Sequence, residues 1–245
     1  MWYYINAYNY VVLVYNIVFL LYNFYVVNMK NFLKVNKYYL LTIILMLLTF
    51  IQVKRYFSYE LLTFDMFIHD YILGNLVNNG LTIFFKIITN MGSVYFYITS
   101  LIILFVVYKN KKNIIKLSCS LFTVYLINLI IKFIINRERP LTSLINVPWD
   151  PSFPSGHTAC SIVFYGILIY LLNNSDIKGL KKVLFTIFLV IIIILIGVSR
   201  LYLGVHYLSD VCAGYLVGLI VLFMFINYYK KENIWKRKYF YLLKV

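Results

Sequence analysis

The run VLFTIFLVIIIILIGV at residues 183–198 contains no charged side chain, and it decides the class of fold. A helix that spans a bilayer needs about 20 mainly apolar residues, and flanking tyrosines and lysines can complete a shorter run by reaching the interface. Five further runs of this kind lie at Tyr38–Val53, within Leu81–Tyr108, and at Ile114–Ile135, Thr158–Leu172 and Tyr207–Tyr229. The sequence therefore predicts an all-α, polytopic membrane helix bundle with six core transmembrane helices.

The composition of the whole chain agrees with this class of fold. Apolar and aromatic residues make up 63% of the 245 residues, whereas a soluble domain has roughly 45–50%, so an ordinary cytosolic enzyme is excluded. The low contents of glycine, proline and cysteine also exclude a collagen-like fibre and a disulfide scaffold. Three cysteines fall in or beside apolar runs, and we expect small core residues without a disulfide at Cys119, Cys160 and Cys212.

The basic residues predict how the helices are oriented. Lysine and arginine outnumber aspartate and glutamate by 23 to 8, which gives a formal net charge of +15. One set of alternate loops, together with the C-terminal segment, holds sixteen of these cations: Lys30, Lys34, Lys37, Lys109, Lys111, Lys112, Lys116, Lys178, Lys181, Lys182, Lys230, Lys231, Lys236, Arg237, Lys238 and Lys244. The opposite loops and helix ends hold Lys54, Arg55, Lys86, Lys132, Arg137, Arg139 and Arg200. Because basic residues collect in cytoplasmic loops, the first set and the C-terminus are predicted to lie on the cytoplasmic side of the cell membrane.

The first 28 residues form an extension whose nature the sequence leaves open. Tyr10–Val27 is apolar enough for one extra N-terminal helix, although Asn16 and Asn23 interrupt it. A signal peptide is not predicted, because no charged residue precedes Lys30 and no small-residue cleavage site follows the apolar run. We hypothesise that Met29 is the true start, which N-terminal sequencing of the native protein would test and recovery of the first methionine would refute. Residues 29–245 are predicted to form one six-helix membrane domain.

One further apolar segment carries polar side chains. Leu61–Val77 is predicted to be an amphipathic helix at the outer interface, and it includes Asp65, His69 and Asp70. The one-turn spacing of the first two could indicate a site, but a solvated polar stripe is the favoured interpretation.

Three polar clusters interrupt the apolar pattern, each at the outer end of a span. An ionisable residue at membrane depth costs roughly 2.5–3.5 kcal/mol, which makes it a candidate functional residue. Lys132 and Arg139 are seven residues apart, so both can face one cavity if the helix continues to the proline that follows. Arg200 comes from a separate span, and three converging cations would suit a tetrahedral dianion. Arg137, by contrast, is interpreted as an ordinary arginine that extends to the membrane interface, where its neighbour Glu138 can pair with it.

Backbone amides and two histidines complete this constellation. Ser155 stands at a helix N-cap, where the first N–H groups, near Gly156 and His157, can bind an anion. His206 and Asp210 are four residues apart, so the carboxylate can accept a hydrogen bond from one imidazole nitrogen and leave the lone pair of the other nitrogen free.

Together these residues predict phosphoryl transfer by covalent catalysis. His206 would attack phosphorus, and His157 would protonate the leaving oxygen and then activate the water that hydrolyses the phosphohistidine. The phosphoryl oxygens would be held by Lys132, Arg139, Ser155, the Gly156 amide and Arg200. These cations would do the work of a divalent metal ion, and zinc-ligand spacing is absent, so no metal or other cofactor is expected.

The three clusters resemble the type 2 phosphatidic acid phosphatases, which are membrane lipid phosphatases related to the vanadium haloperoxidases. The family signature K-x6-R-P, P-S-G-H and S-R-x5-H-x3-D matches Lys132–Pro140, Pro154–His157 and Ser199–Asp210 at every fixed position. The resemblance covers roughly residues 29–229 and implies six-helix packing, a site open to the outer face and a phosphorylated lipid as substrate. It implies a nucleophile, its orienting partner and a general acid at His206, Asp210 and His157, and phosphate ligands at Lys132, Arg139, Ser155, Gly156 and Arg200.

The motifs do not state which lipid is the substrate. Undecaprenyl pyrophosphate, phosphatidylglycerol phosphate and phosphatidic acid all fit, and we favour the polyprenyl pyrophosphate or a broad lipid-phosphate activity. A lipid phosphotransferase on the same scaffold is the first alternative, and a non-enzymatic anion transporter is the last. No nucleic-acid partner is expected, and the sequence does not determine the oligomeric state.

Overall fold

Apolar runs and the residues that cap them set the secondary structure. The computed structural model describes residues 60–147 and 149–242, with the side chains of residues 63–147 and 149–227. All regular elements in these ranges are α-helices, namely α1 (Glu60–Asn75), α2 (Asn79–Asn90), α3 (Val94–Val107), α4 (Lys111–Ile135), α5 (Gly156–Asn173), α6 (Gly179–Tyr202) and α7 (Leu208–Leu242). The predicted first span, Tyr38–Val53, and the N-terminal extension, residues 1–28, lie outside the described residues.

Four of these helices are long and apolar enough to cross a membrane. They are α4, α5, α6 and the part of α7 from Leu208 to Asn227. Helices α2 and α3 pass the same test together, although they are bent by 52° at a short break. The all-helical class is therefore confirmed, and the described residues supply four spans, or five if the bent pair is one.

The predicted span within Leu81–Tyr108 is interrupted by this bend instead of being one straight helix. The Ser93 side chain caps the first turn of α3 and so restarts the helix after the break. A Cβ atom at Gly92 would lie 3.2 Å from Cδ2 of His157, so the break lies against the start of α5. The Tyr165 hydroxyl donates to a backbone carbonyl in the break at 2.9 Å. These contacts to α5 fix the position of the bend.

Helix α5 lies at the centre of the bundle, and α7 packs closely against its N-terminal half. Ala159 and Val163 of α5 are fully buried. A Cβ atom at Gly214 of α7 would overlap the Thr158 hydroxyl, and one at Gly218 would lie 2.6 Å from the Ala159 carbonyl oxygen. Only glycine permits this approach, which brings the first turn of α7 beside the first turn of α5.

Helix α1 confirms the predicted helix but not its predicted surroundings. Asp65 and His69 are only 1% and 6% exposed, whereas the Asp70 side chain is 73% exposed. The expectation of a solvated polar stripe is therefore wrong for the first two residues. The physical reason is that α1 packs on α6 and α7, which buries this face of the helix. The loop after α4 supplies a polar partner there, because His69 Nε2 lies 3.0 Å from the Thr142 carbonyl oxygen.

The three cysteines have free thiols, but they do not share one environment. Cys160 is buried in α5, as predicted for a small core residue. Cys119 and Cys212 are exposed on the outer faces of α4 and α7. The prediction of a core position is thus wrong for these two, because their helices present those faces outward.

Candidate active site

The three polar clusters meet where α4 and α6 end and α5 and α7 begin. Asn136 adopts the left-handed conformation, with φ at 48°, and ends α4. Arg139 therefore lies in the following loop, which corrects the prediction that the helix continues to the proline. The Ser155 N–H donates to the Asp210 carbonyl at 3.0 Å and joins the start of α5 to α7. All eight predicted site residues are located on these helix ends or in the two loops between them.

A carboxylate that the sequence reasoning missed joins two of the predicted phosphate ligands. Lys132 Nζ lies 2.9 Å from Asp150 Oδ2, and the Arg139 NH2 group lies 2.8 Å from Asp150 Oδ1. The Arg139 Nε–H also donates to the Asp150 carbonyl at 2.8 Å. Lys132 reaches the same loop through the Pro151 carbonyl. The two cations are thus held side by side although one is helical and the other is not.

The charge of Asp150 is set by these two neighbours. Burial alone would raise the pKa of Asp150, but the hydrogen bond and charge of Lys132, with the charge of Arg139, bring that pKa below its ordinary value. The side chain remains ionised at neutral pH and is 21% exposed. The sequence does contain a signal for this residue, because Asp150 is the single acidic residue between the first and second polar clusters.

Two predicted phosphate ligands carry buried polar atoms without a hydrogen-bond partner among the described residues. Arg200 is 3% exposed, and its NH1 group donates to Thr89 Oγ1 at 2.7 Å, yet its Nε–H has no acceptor. Ser155 is fully buried, and its Oγ also has no partner. Ser155 occupies the N-cap position as predicted, but its side chain makes no capping hydrogen bond. Both groups are therefore available to an additional acceptor.

The first residues of α5 place an amide and an imidazole beside these groups. A Cβ atom at Gly156 would lie 3.3 Å from Asn128 Oδ1, so a larger residue would crowd the wall of the site. His157 is half-buried, and its ring lies next to Gly92 at the bend between α2 and α3. The sequence analysis did not identify Gly92. A glycine inside an apolar run was the local indication that the helix breaks there.

His206 lies between the cations and the Asp210 carboxylate. Its Nδ1 is 3.4 Å from Asp210 Oδ2, and its Nε2 is 3.2 Å from the Arg139 NH1 group. Because a guanidinium can only donate hydrogen bonds, Nε2 must be the acceptor and the proton resides on Nδ1. This geometry corresponds to the predicted tautomer, but the Nε2 lone pair faces the Arg139 guanidinium and is not free as expected.

The imidazole of His206 is neutral in this environment. Burial lowers its pKa well below the ordinary value of 6.5, and the charges of Arg200, Arg139 and Lys132 lower it further, whereas Asp150 acts in the opposite direction. A neutral imidazole can act as a nucleophile, and an imidazolium cannot.

Arg137 is another functional candidate that the sequence reasoning misjudged. Its NH1 group lies 2.8 Å from Asp210 Oδ1, and its NH2 group lies 2.7 Å from Asp65 Oδ2. The expected pair with Glu138 is therefore wrong for this side chain. Asp65 lies 72 residues away in sequence, so neither local spacing nor neighbouring charge could indicate this contact.

The chemistry available to the site is that of an anion-binding nucleophile. Unused donors of Arg200 and Ser155 lie in the same group of helix ends as the His206 lone pair. No group of three or more histidine, cysteine or carboxylate side chains suited to a metal ion occurs in the described part of the chain.

Comparisons with known proteins identify a matching family model and several relatives. The model of the PAP2 superfamily matches residues 113–234, which include every predicted site residue. The chain is 32% identical over 114 residues to phosphatidylglycerophosphatase B of Bacillus subtilis, covering 46% of this chain and 56% of that protein. The alignment thus spans about half the length of that relative. This chain is also 27% identical over 198 residues to an undecaprenyl-diphosphatase of Sulfolobus acidocaldarius, and that alignment covers 78% of this chain and 90% of that protein.

Two solved structures have a similar fold. The transmembrane PAP2-type phosphatidylglycerolphosphate phosphatase from Bacillus subtilis superposes with a TM-score of 0.66 at 25% identity, over 77% of this chain and 96% of that chain. Aquifex aeolicus LpxE superposes with a TM-score of 0.53 at 27% identity, over 69% of this chain and 96% of the LpxE chain. With its candidate spans, the chain is a multi-pass membrane protein.

Proposed function

Because residues 113–234 of this chain belong to the PAP2 superfamily, we propose that the protein is an integral-membrane lipid phosphatase that works without a metal ion. It hydrolyses a phosphate monoester or a pyrophosphate of a membrane lipid through a phosphohistidine intermediate. The observation that carries this proposal is the 3.2 Å contact between His206 Nε2 and the Arg139 guanidinium, which directs a neutral nitrogen lone pair at the cations that would hold the phosphoryl group.

Substrate binding uses the donors that the structure leaves available. The Arg200 Nε–H and the Ser155 hydroxyl, which are buried and have no hydrogen-bond partner in the described part of the chain, bind two phosphoryl oxygens. The Gly156 amide at the start of α5 adds a backbone donor at the positive end of the helix dipole. Lys132 and Arg139 supply the remaining charge. The result is a preorganised set of donors that matches the equatorial oxygens of a five-coordinate transition state.

Nucleophilic attack and hydrolysis follow as two in-line displacements. The Arg139 NH1 group moves from His206 Nε2 to a phosphoryl oxygen and so frees the lone pair of Nε2. Nε2 then attacks phosphorus, the bond from phosphorus to the lipid oxygen breaks, and protonated His157 gives its proton to that oxygen as it leaves. Asp210 accepts the Nδ1–H of His206 and stabilises the positive charge that develops on the ring. His157, now neutral, removes a proton from water as the water attacks the phosphohistidine. Inorganic phosphate leaves and His206 is regenerated.

We place this site at the extracytoplasmic surface. The proposal rests on the lysine-rich loops, which cluster at the opposite helix ends and are predicted to be cytoplasmic, along with the C-terminus. A lipid phosphate in the outer leaflet can approach laterally between the apolar helices. Cysteine variants at Lys178 and Leu141, labelled from outside intact cells, test this topology, and labelling of only the first would contradict it.

The substrate is a lipid phosphate of the kind named for the relatives. Undecaprenyl pyrophosphate, phosphatidylglycerol phosphate and phosphatidic acid are the candidates, and we favour the polyprenyl pyrophosphate or a broad specificity. A panel of these three lipids in detergent micelles, with kcat/KM measured for each, decides among them. Radiolabelled phosphate that passes to a second lipid instead of being released would indicate the phosphotransferase alternative.

The metal-independent reaction is tested with the purified full-length protein. We expect phosphate release from at least one of these lipids in the presence of EDTA, and inhibition by orthovanadate, which mimics the five-coordinate transition state. A strict requirement for Mg²⁺, or the absence of phosphate release from all three lipids, would contradict the proposed function.

A further inference from the structure

We infer that Arg137 and Asp65 are positioning residues that hold the Asp210 carboxylate, and through it His206, in the reactive orientation. The inference deepens the proposed function and rests on it for the role of His206. Asp65 lies on α1, outside residues 113–234, so the reacting group depends on a helix beyond the matched region.

The two oxygens of Asp210 have different partners. Oδ2 accepts the Tyr207 backbone N–H at 2.9 Å and lies 3.4 Å from His206 Nδ1. Oδ1 accepts the Arg137 NH1 group at 2.8 Å. The carboxylate is fully buried, so water cannot replace a lost partner. Arg137 therefore fixes the rotation of the carboxylate plane and supplies the positive charge that compensates a buried anion.

Arg137 is in turn held by groups on either side of its guanidinium. Its NH2 group donates to Asp65 Oδ2 at 2.7 Å, and its NH1 group also donates to Ser209 Oγ at 2.6 Å. The guanidinium carbon lies 4.4 Å from the centre of the Tyr207 ring, which packs on its face. One cation thus bridges two buried carboxylates from α1 and α7.

Asp65 also binds α7 directly. Its Oδ1 accepts the Ser209 backbone N–H at 3.0 Å, and its Oδ2 accepts the Ser209 hydroxyl. Asp65 could consequently act on the site through Arg137 or through Ser209. The geometry favours Arg137, because only the guanidinium contacts Asp210 itself. Double substitution can therefore test the series of hydrogen bonds from Asp65 through Arg137 to Asp210.

The test compares orthovanadate with inorganic phosphate in equilibrium binding to the full-length protein. Phosphate requires the donors that hold oxygens, whereas orthovanadate also requires a correctly placed His206 nitrogen. We expect Arg137→Ala to weaken vanadate binding by about 10- to 100-fold, the usual effect of losing an orienting partner, while phosphate binding changes by less than about threefold. Arg137→Lys keeps the charge but cannot bridge both carboxylates, so it should give an intermediate loss.

Double substitution tests the route from Asp65. Asp65→Ala should weaken vanadate binding on its own. It should cause no additional loss in the Arg137→Ala background, because both changes interrupt the same series of hydrogen bonds. Additive losses would overturn the inference for Asp65, and unchanged vanadate binding in Arg137→Ala would overturn it altogether. Tyr215→Phe is the control, since it removes a partly buried hydrogen bond from α7 to the Ile193 carbonyl (2.9 Å) without touching Arg137, Asp65, Tyr207 or Asp210; an equal vanadate-specific loss there would also overturn the inference.

Turnover in the same variants separates this inference from the proposed function. If lipid phosphates are hydrolysed, kcat should fall in Arg137→Ala with KM within about threefold of the original value. A protein that binds phosphate and vanadate but hydrolyses none of the lipids would contradict the proposed function, and the ratio of the two affinities would still decide the inference.

Discussion

The two sides of His206 are both built from buried or half-buried ion pairs, but they carry opposite net charge. On the front side, Lys132, Arg139 and Arg200 face one carboxylate, Asp150, which leaves two positive charges in excess. On the back side, Arg137 faces the two carboxylates of Asp65 and Asp210, which leaves one negative charge in excess. An excess of two positive charges matches a phosphomonoester dianion. The negative side stabilises the positive charge that His206 acquires when it attacks.

The two sides also differ in how firmly their carboxylates are held. Asp150 belongs to a loop and is 21% exposed, so solvent or a bound phosphate can compensate its displacement. Asp65 and Asp210 are 1% and 0% exposed and belong to helices that pack together. The difference indicates that the front is suited to exchange an anion, whereas the back is suited to stay fixed.

Removal of His206, which both sides contact, should have the largest effect. His206→Ala is expected to reduce phosphate release by at least about 1,000-fold, because no other group can form the covalent intermediate. The measurement is phosphate release from the best lipid of the panel in detergent. The variant should unfold at nearly the same temperature as the original protein, and His69→Ala should keep its activity. Substantial turnover by a folded His206→Ala protein would refute the nucleophile.

The sequence identified the candidate cations of the front and Asp210 of the back, but it identified neither Asp150 nor the pair of Arg137 with Asp65. The three motifs carry their residue types at fixed local spacing, so Lys132, Arg139, Arg200 and His206 could be identified before any fold was known. The back depends on a contact between Arg137 and Asp65 over 72 residues of sequence. Local charge suggested a different pair for Arg137 and a solvated stripe for α1. Tertiary packing, which places α1 on α7, decided both.

The helices show the same limit. Hydrophobicity and length predicted α4 to α7 because each is a long apolar run. The bend between α2 and α3 was missed because glycine and serine break the helix without breaking the apolar run. Its position is set by contacts with α5, including the His157 ring beside Gly92. Such contacts are tertiary and leave only a faint local signal.

The stability of the two sides should differ when each loses a carboxylate. Asp65→Ala leaves the Ser209 N–H without its acceptor and Arg137 with one of its two carboxylates, and it is expected to lower the free energy of unfolding by about 2–3 kcal/mol. Asp150→Ala should cost about 1 kcal/mol in phosphate buffer, because a bound phosphate replaces the lost negative charge and Lys132 and Arg139 keep the backbone carbonyl acceptors of this loop. Reversible unfolding in mixed detergent micelles measures both. Equal losses would show that the back is no more firmly held than the front.

The smallest effect concerns the pH dependence of the front side. In the free enzyme burial lowers the pKa of His206, so the reactive neutral form is lost only as the pH falls through that lowered value. The negative charge of Asp150 opposes this shift, and Asp150→Asn should therefore lower the pKa of His206 further. The acid limb of the kcat/KM profile, which reports on the free enzyme, should then move to lower pH. Measuring both proteins with one lipid cancels the titration of the substrate phosphate. A limb that moves to higher pH would mean that Asp150 acts on His206 through geometry and not through its charge.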